Sequence, residues 1–322
     1  MERWSVSDYF RSIFDGKVQK IAVDAALGCP NRDGSCGTGG CIFCNNAAFS
    51  PRYALGSTEG ITAQLTKGTA FFARKGDVSG YLPYFQTYSN TYGRTEHLIA
   101  LYEEALRFPG AKGLVIATRP DCLAPDLLDY FEERFGAGAP QGHPFLLMEI
   151  GIESTIDSTL ELINRGHDYE CSRQAVIELD RRGIATGAHI ILGLPGETES
   201  DFMLHAERLS ELPLKTLKLH HLQIVRDTPL EKMYLENPNC VHLFTPQEYT
   251  EVLRRFLSRL RADIAIDRVV SETPQHLITA PCWGIKPIHW GQTPFTVFPS
   301  TSTSDSDFTE QGTDPVHVAA LW

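Results

Sequence analysis

Short apolar runs alternate with longer amphipathic ones along most of this chain, and that alternation constrains its fold more than any other feature. Lys20 to Ala26, Gly80 to Phe85, Gly113 to Ala117, Phe145 to Ile152, Thr186 to Leu192 and Thr216 to Ile224 are near-continuous apolar runs of strand length. Such runs mark strands buried on both faces. Helical spacing fills the intervals, at Ile61 to Ala73, Thr95 to Phe108, Pro125 to Phe135, Thr155 to Asn164, Cys171 to Arg182 and Glu197 to Leu212. Thr245-Pro246-Gln247-Glu248 is a capping box that opens a further helix to about Arg261. Ala265 to Val270 reads as a last strand. Six βα units predict an α/β fold with a parallel sheet covered by helices, either an open doubly wound sheet or a full or partial barrel. In each of these the site forms at the carboxyl ends of the strands.

Those ends are polar. Gln86, Ser89 and Asn90 follow the second strand; Thr118, Arg119 and Asp121 follow the third; Glu149 and Glu153 lie on the fourth. His189 and Gly193-Leu194-Pro195-Gly196 belong to the fifth, and His220, His221 and Gln223 to the sixth. Any one of these is more often a satisfied core or capping group than a ligand. Five strand ends turning polar groups to one rim make a site there the expectation. His220 and His221 alternate in direction on a strand, so one of them faces the interior and is a candidate for substrate contact.

Composition narrows the class. Hydrophobic residues at 42% and charged residues at 21% exclude a wholly disordered chain. Apolar runs fall well short of the roughly 18 residues that span a bilayer. Met1-Glu2-Arg3-Trp4-Ser5 leads into no apolar secretory segment, so the expected location is cytoplasmic. A net charge of −11 argues against bulk attraction to nucleic acid or anionic membrane, and leaves room for a local basic groove. From Pro287 to Trp322 there is no Lys or Arg, and Ser and Thr dominate the centre, which predicts a mobile tail.

Four of the eight cysteines, Cys29, Cys36, Cys41 and Cys44, fall within 16 residues, while Cys122, Cys171, Cys240 and Cys282 are scattered. The loop between them carries Pro30, Gly34, Gly37, Gly39 and Gly40, which resist helix and strand. Lacking a hydrophobic means of ordering itself, such a loop is expected to gather around a metal. Cys41-x-x-Cys44 has the reach of two thiolates on one centre. Structural zinc usually shows two such pairs, or a Cys pair with a His pair, and the loop has neither. That favours an iron–sulfur cluster over zinc. Three thiolate ligands would leave one iron open; four would close it.

The loop at the end of the first strand resembles the cluster loop of the radical S-adenosylmethionine (radical SAM) superfamily. Ala117-Thr118-Arg119-Pro120-Asp121-Cys122 and Glu149-Ile150-Gly151-Ile152-Glu153-Ser154 are similar to segments of the subgroup containing the Elongator catalytic subunit, MiaB and NifB. Ile163-Asn164-Arg165-Gly166-His167 and Ile190 to Glu197 follow in the same order. Cys-Pro-Asn-Arg-Asp-Gly, Gly-Gly-Cys-x-Phe-Cys-Asn and Lys218-Leu219-His220 are similar to a bacterial family of the YhcC type. The likeness covers roughly residues 17 to 283.

The resemblance implies a partial (β/α)6 barrel, with a lead-in over 1–16, a core over 17–262, a strand and connection over 263–286 and the tail over 287–322. It implies a [4Fe-4S] cluster on three cysteines, with S-adenosylmethionine (SAM) on the fourth iron. One electron, from a donor such as flavodoxin or ferredoxin, would then release a 5′-deoxyadenosyl radical that abstracts hydrogen from substrate. The implied ligands are Cys29, Cys41 and Cys44, in place of the common Cys-x3-Cys-x2-Cys. Cys36 competes, because Cys36-x4-Cys41 is nearer the common spacing; at its position an adventitious thiol is expected. The usual second-strand Gly-Gly-Glu is missing and Gln86 to Asn90 occupies its place, so Gln86 and Ser89 are candidates for the amino end of SAM. Glu153 is a candidate for its ribose or amino group. Arg165 is a candidate for its carboxylate, with a helix-end salt bridge as the competing role, and Gly193 and Pro195 are candidates for backbone approach to adenine. Elongator and MiaB suggest tRNA modification; a small molecule or peptide substrate, and a non-catalytic metal-stabilised binding protein, are the alternatives.

Overall fold

The computed structural model describes residues 4–48, 59–73, 76 and 78–283; the tail at 287–322 lies outside them. Each apolar run forms a strand: β1 (Val18–Val23), β2 (Gly80–Phe85), β3 (Gly113–Thr118), β4 (Phe145–Glu153), β5 (Ala185–Leu192) and β6 (Thr216–His221). A two-residue strand, β7 (Ile224–Val225), precedes β8 (Ala265–Arg268), and β9 (Ile278–Ala280) follows. One parallel sheet runs β1-β2-β3-β4-β5-β6-β8, and β7 pairs antiparallel with β9. The helices are α1 (Val6–Ile13), α2 (Ile61–Phe72), α3 (Thr95–Leu106), α4 (Pro125–Phe135), α5 (Asp157–Leu162), α6 (Tyr169–Arg181), α7 (Glu199–Ser210), α8 (Pro229–Glu236) and α9 (Pro246–Arg259).

The sheet is curled, and its interior charges show how far. In a flat sheet, β1 and β8 at the two edges would stand roughly 29 Å apart, six strand spacings. Instead, Lys20 Nζ of β1 lies 2.6 Å from Asp267 Oδ2 of β8. Lys218 Nζ of β6 is 2.9 Å from Tyr84 Oη of β2, four strands away. β1 and β8 are not paired with each other, so the barrel is partial.

Period-two alternation sorts the side chains. Outward residues such as Phe85, Ile116, Ile150, Ile190 and Leu219 join the helices in the main core. Inward residues are layered. At the amino ends Leu82, Val115 and Leu147 pack with Phe10 of α1, so this helix closes the bottom of the barrel. Above them sits the ionic layer of Lys20, Glu149, Lys218 and Asp267. Polar ends of β4, β5 and β6 then face an open cavity at the top.

Candidate functional site

The cysteine loop follows β1, and hydrogen bonds rather than apolar packing give it shape. Pro30 O accepts from Cys36 N at 2.8 Å and Gly37 N at 3.2 Å, and Gly40 N donates to Asn31 O at 2.8 Å. The buried Asn31 side chain donates to Asn164 O at 2.6 Å, and Asn164 Nδ2 returns a bond to Gly40 O at 2.8 Å. Asn164 has φ of 53°, in the left-handed region that Asn tolerates. At Gly37 a Cβ would stand 2.2 Å from Asn31 Oδ1, so only glycine lets the two strands of the loop approach. To the expected gathering of thiolates on a metal the structure adds the Asn31–Asn164 exchange, which shapes the segment through the chain's own polar groups.

The loop presents three thiols together. Cys29, Cys41 and Cys44 line one cavity; Cys36 is exposed and does not. Burial pushes the Cys29 thiol up, the Asn31 backbone N–H and the Arg119 charge pull it down, and Cys41 pushes it up again. Burial pushes the Cys44 thiol up to about 12, Cys41 adds to this, and Arg32 opposes it by charge and hydrogen bonding. Metal binding would displace these protons.

Two buried guanidiniums stand beside the thiols. Arg165 Nη1 is 3.4 Å from Cys41 Sγ, its Nη2 donates to Gly151 O, and Glu153 Oε1 lies 3.7 Å away. Arg119 donates to both Asp121 oxygens at 2.8 and 2.7 Å and to Arg165 O at 2.8 Å. Asn31 Oδ1, Arg119 Nη1 and Arg165 Nε are buried without a partner. Unspent cationic donors beside three thiols suit an anionic group held there. Among the described residues no three His, Cys, Asp or Glu side chains converge closely enough to share one metal ion. A cluster makes a different demand, since each thiolate takes its own iron.

The cavity beyond the thiols is amphiphilic. Gln86, Thr118, Glu153 and Arg165 supply polar groups; Ala117, Ile191, Leu222 and Val225 supply apolar wall. At Gly151 a Cβ would meet Arg165 Nη2 and Glu153 Oε1 at 2.7 Å each, so the missing side chain keeps this pair in place. A ligand with a carboxylate, an ammonium group and a flat apolar ring has a counterpart for each. The other sequence candidates lie elsewhere. Ser89 is fully buried with its hydroxyl 2.9 Å from Thr118 Oγ1. Gly193 borders a separate depression with Phe202 and Phe244, and Pro195 is buried and lines neither.

Below the cavity Glu149 Oε2 accepts from Tyr84 Oη at 2.6 Å and Lys218 Nζ at 2.8 Å, with His189 Nε2 at 2.8 Å. Burial alone would raise the Glu149 carboxyl, but the charges of Lys20 and Lys218 hold it well below its ordinary range. His220 is the inward member of its pair, its ring centroid 5.8 Å from that of His189. His221 points outward and stacks on Trp283 at 4.0 Å. Lys218 and Tyr84 carried no assigned role in the sequence reading, although Lys218 shares the parity of the inward histidine. Arg268, Ser271 and Glu272, which complete the far wall, were missed. Arg268 ends β8 and the other two follow it, with no motif to mark the segment.

Residues 28–209 match the model of the radical SAM superfamily, and residues 214–291 match that of the radical SAM C-terminal domain. YtqA of Bacillus subtilis (strain 168) is 31% identical over 277 residues, which cover 86% of this chain and 83% of that protein. YhcC of Escherichia coli (strain K12) is 31% identical over 268 residues, covering 83% and 82%. Among solved structures, Methanocaldococcus infernus Elp3 with an N-terminal deletion aligns with a TM-score of 0.57 at 17% identity, over 81% of this chain and 58% of that one. Coproporphyrinogen III oxidase (HemN) of Escherichia coli, a radical SAM enzyme, aligns with a TM-score of 0.50 at 16% identity, over 78% and 54%. At these identities the two structures speak to the fold alone, and this chain spans little more than half of each. The superfamily model alone matches more than half of the chain, and with the two curated relatives it shows that the chain belongs to the radical SAM superfamily, as an enzyme whose cofactors are a [4Fe-4S] cluster and SAM.

Proposed function

We propose that Cys29, Cys41 and Cys44 hold the [4Fe-4S] cluster with one iron left open, and that SAM occupies the adjoining cavity at the barrel mouth. The observation that carries the reading is the convergence of these three thiols with Arg119 and Arg165 on one cavity, while Cys36 stays exposed outside it. When bound, this pair of cofactors supplies one-electron cleavage of the sulfonium and a 5′-deoxyadenosyl radical able to abstract hydrogen from substrate. The chain's own residues orient and shield. Arg165 receives the carboxylate of SAM, and Arg119 fixes Arg165 through its carbonyl. Gln86 and Glu153 accept from the ammonium or ribose end. Ser89 acts through Thr118. Gly193 and Pro195 act by shaping the turn after β5. Ile191, Leu222 and Val225 exclude water from the reacting region.

Substrate meets the upper interior beside His189 and His220. The class suggested by the sequence resemblance is tRNA, with flavodoxin or ferredoxin as electron donor; a small molecule or peptide competes, because the net charge of −11 sets the bulk field against RNA.

Anaerobic reconstitution tests the reading. The expected product is brown and oxygen-sensitive, its reduced-state electron paramagnetic resonance signal changes when SAM is added, and 5′-deoxyadenosine accumulates with dithionite. Cys29→Ala, Cys41→Ala and Cys44→Ala each abolish the chromophore, and Cys36→Ala retains it. A signal indifferent to SAM, with no 5′-deoxyadenosine formed, would sink the proposal. Loss of the cluster in Cys36→Ala alone would reverse the ligand assignment.

A further inference from the structure

His189 and His220 point inward from the paired strands β5 and β6 and line the cavity where substrate is proposed to enter. Their ring centroids stand 5.8 Å apart. The hydrogen bonds around each ring decide which of its nitrogens carries the proton.

At His189, Nε2 lies 2.8 Å from Glu149 Oε2. That carboxylate stands 3.4 Å from Lys20 Nζ and 2.8 Å from Lys218 Nζ and is ionised, so it can only accept. Nε2 therefore bears the hydrogen, and in the neutral ring the lone pair sits on Nδ1. This Nδ1 has no hydrogen-bond partner among the described residues and is not one of their buried unpartnered atoms, so it opens onto the cavity.

At His220, Nδ1 lies 3.5 Å from Ser271 Oγ. Ser271 spends its one hydroxyl hydrogen on His221 O at 2.7 Å, so toward Nδ1 it turns a lone pair. Nδ1 bears the hydrogen here, and Nε2, also without a partner among the described residues, presents a second lone pair to the cavity. Burial, then the charges of His189, Arg268 and Lys218, hold this ring well below its ordinary value, which keeps it neutral. The fixed charges nearby are already matched: Lys20 and Lys218 by Glu149 and Asp267, and Arg268 by Glu272 at 3.1 Å. An anion would face two lone pairs and an added cation would face Arg268 and Lys218, whereas a neutral group with polar hydrogens meets neither objection.

We propose that His189 Nδ1 and His220 Nε2 form an acceptor pair that binds an uncharged substrate group carrying two polar hydrogens, such as a vicinal diol or a primary amide, and so holds the carbon beside it for hydrogen abstraction. The inference deepens the proposed function and rests on SAM cleavage in this cavity.

Two measurements test it. In the full chain carrying isotope-labelled histidine, nitrogen NMR above neutral pH should show the hydrogen on Nε2 of His189 and on Nδ1 of His220. Ethylene glycol should move the two unprotonated nitrogens, and its dimethyl ether, which has no polar hydrogen, should leave them in place. In the anaerobically reconstituted chain with SAM and dithionite, glycol deuterated on carbon should pass deuterium into 5′-deoxyadenosine, and the deuterated ether should pass much less. His189→Phe and His220→Phe should each lower the deuterated fraction roughly two- to tenfold, the worth of one lost hydrogen bond. The opposite tautomers, equal deuterium from glycol and ether, or a wild-type fraction in both variants overturns the inference alone. If the variants do not fold, the tautomers and the glycol-to-ether comparison in the wild type decide. A wild-type chain that forms no 5′-deoxyadenosine overturns the underlying reading, and this inference with it.

Discussion

Single residues decide whether the thiols converge. Cysteine spacing named the loop and its Cys41-x-x-Cys44 pair, because the count and reach of thiolates are visible in a linear sequence; the preference for Cys29 over Cys36 came from the resemblance. The partner that shapes the loop was not visible, since Asn31 meets Asn164 from 133 positions away. Gly37 is where this arrangement is most exposed to a single change. Gly37→Ala would drive a Cβ into Asn31 Oδ1, 2.2 Å distant, and displace the loop. We expect it to lose most of its iron on reconstitution, while thermal unfolding by circular dichroism shifts by only about 1–3 kcal/mol, the usual scale of local strain. Full iron uptake by Gly37→Ala would show that the loop forms without this close approach. Arg165 combines cavity and ion-pair contacts. Its Nη1 reaches Cys41 and its Nη2 reaches Gly151 O, so it serves the cavity as well as pairing with Glu153.

Elements were legible where their signals are local. β2 and α4 begin and end where spacing and Pro125 placed them. α9 opens on the expected capping box, with Thr245 Oγ1 accepting from Glu248 N at 3.2 Å and Glu248 Oε2 accepting from Thr245 N at 2.7 Å. Thr245→Ala should therefore cost about 1 kcal/mol, read as a lower urea midpoint with an unchanged slope. An unchanged midpoint would remove the cap from the account of this helix. Tertiary contacts moved other boundaries. The helix expected from Thr155 begins at Asp157, because the Thr155 hydroxyl lies 2.7 Å from His205 Nδ1 and Ser154 Oγ donates to Glu197. β6 stops at His221 rather than Ile224, because Ile224 and Val225 pair with β9 instead. α1 and α8, at eight residues each, carry too few turns for periodicity to single them out.

At the scale of the whole molecule, curling the sheet brings charges from four strands into its interior. Lys218 bridges Glu149 at 2.8 Å and Asp267 at 3.3 Å. Lys218→Met leaves both carboxylates short of a partner and should destabilise the fold by about 3–5 kcal/mol in denaturant titration. Adding Glu149→Gln should restore part of that loss, and a strictly additive double variant would deny the coupling. Acid should act through the outer wall. Burial lowers the His221 pKa to about 3, and its Nδ1 accepts from Ser271 N at 3.2 Å, which requires the neutral ring. With a folded value far below the ordinary His value near 6.5, its contribution is full above that pH and is lost as pH falls toward 3. The loss is about 1.4 kcal/mol per pH unit from this group. Unfolding midpoints at pH 7.5 and 5.5 measure it, and His221→Phe should show a shallower decline than wild type; equal slopes would reject the assignment.

By itself the sequence determined the βα alternation, the cysteine loop at the end of the first strand and the polar rim, because periodicity, turn chemistry and ligand spacing are local properties of the chain. Periodicity left open whether the sheet lies flat or curls, and the resemblance to the radical SAM superfamily implied the partial barrel that the structure shows. Only the tertiary structure brought Lys20 against Asp267, Asn31 against Asn164 and Arg32 beneath Tyr88. Those contacts join residues far apart in the chain or on different strands, and what brings them together is the curvature of the sheet and the path of the loop across its mouth.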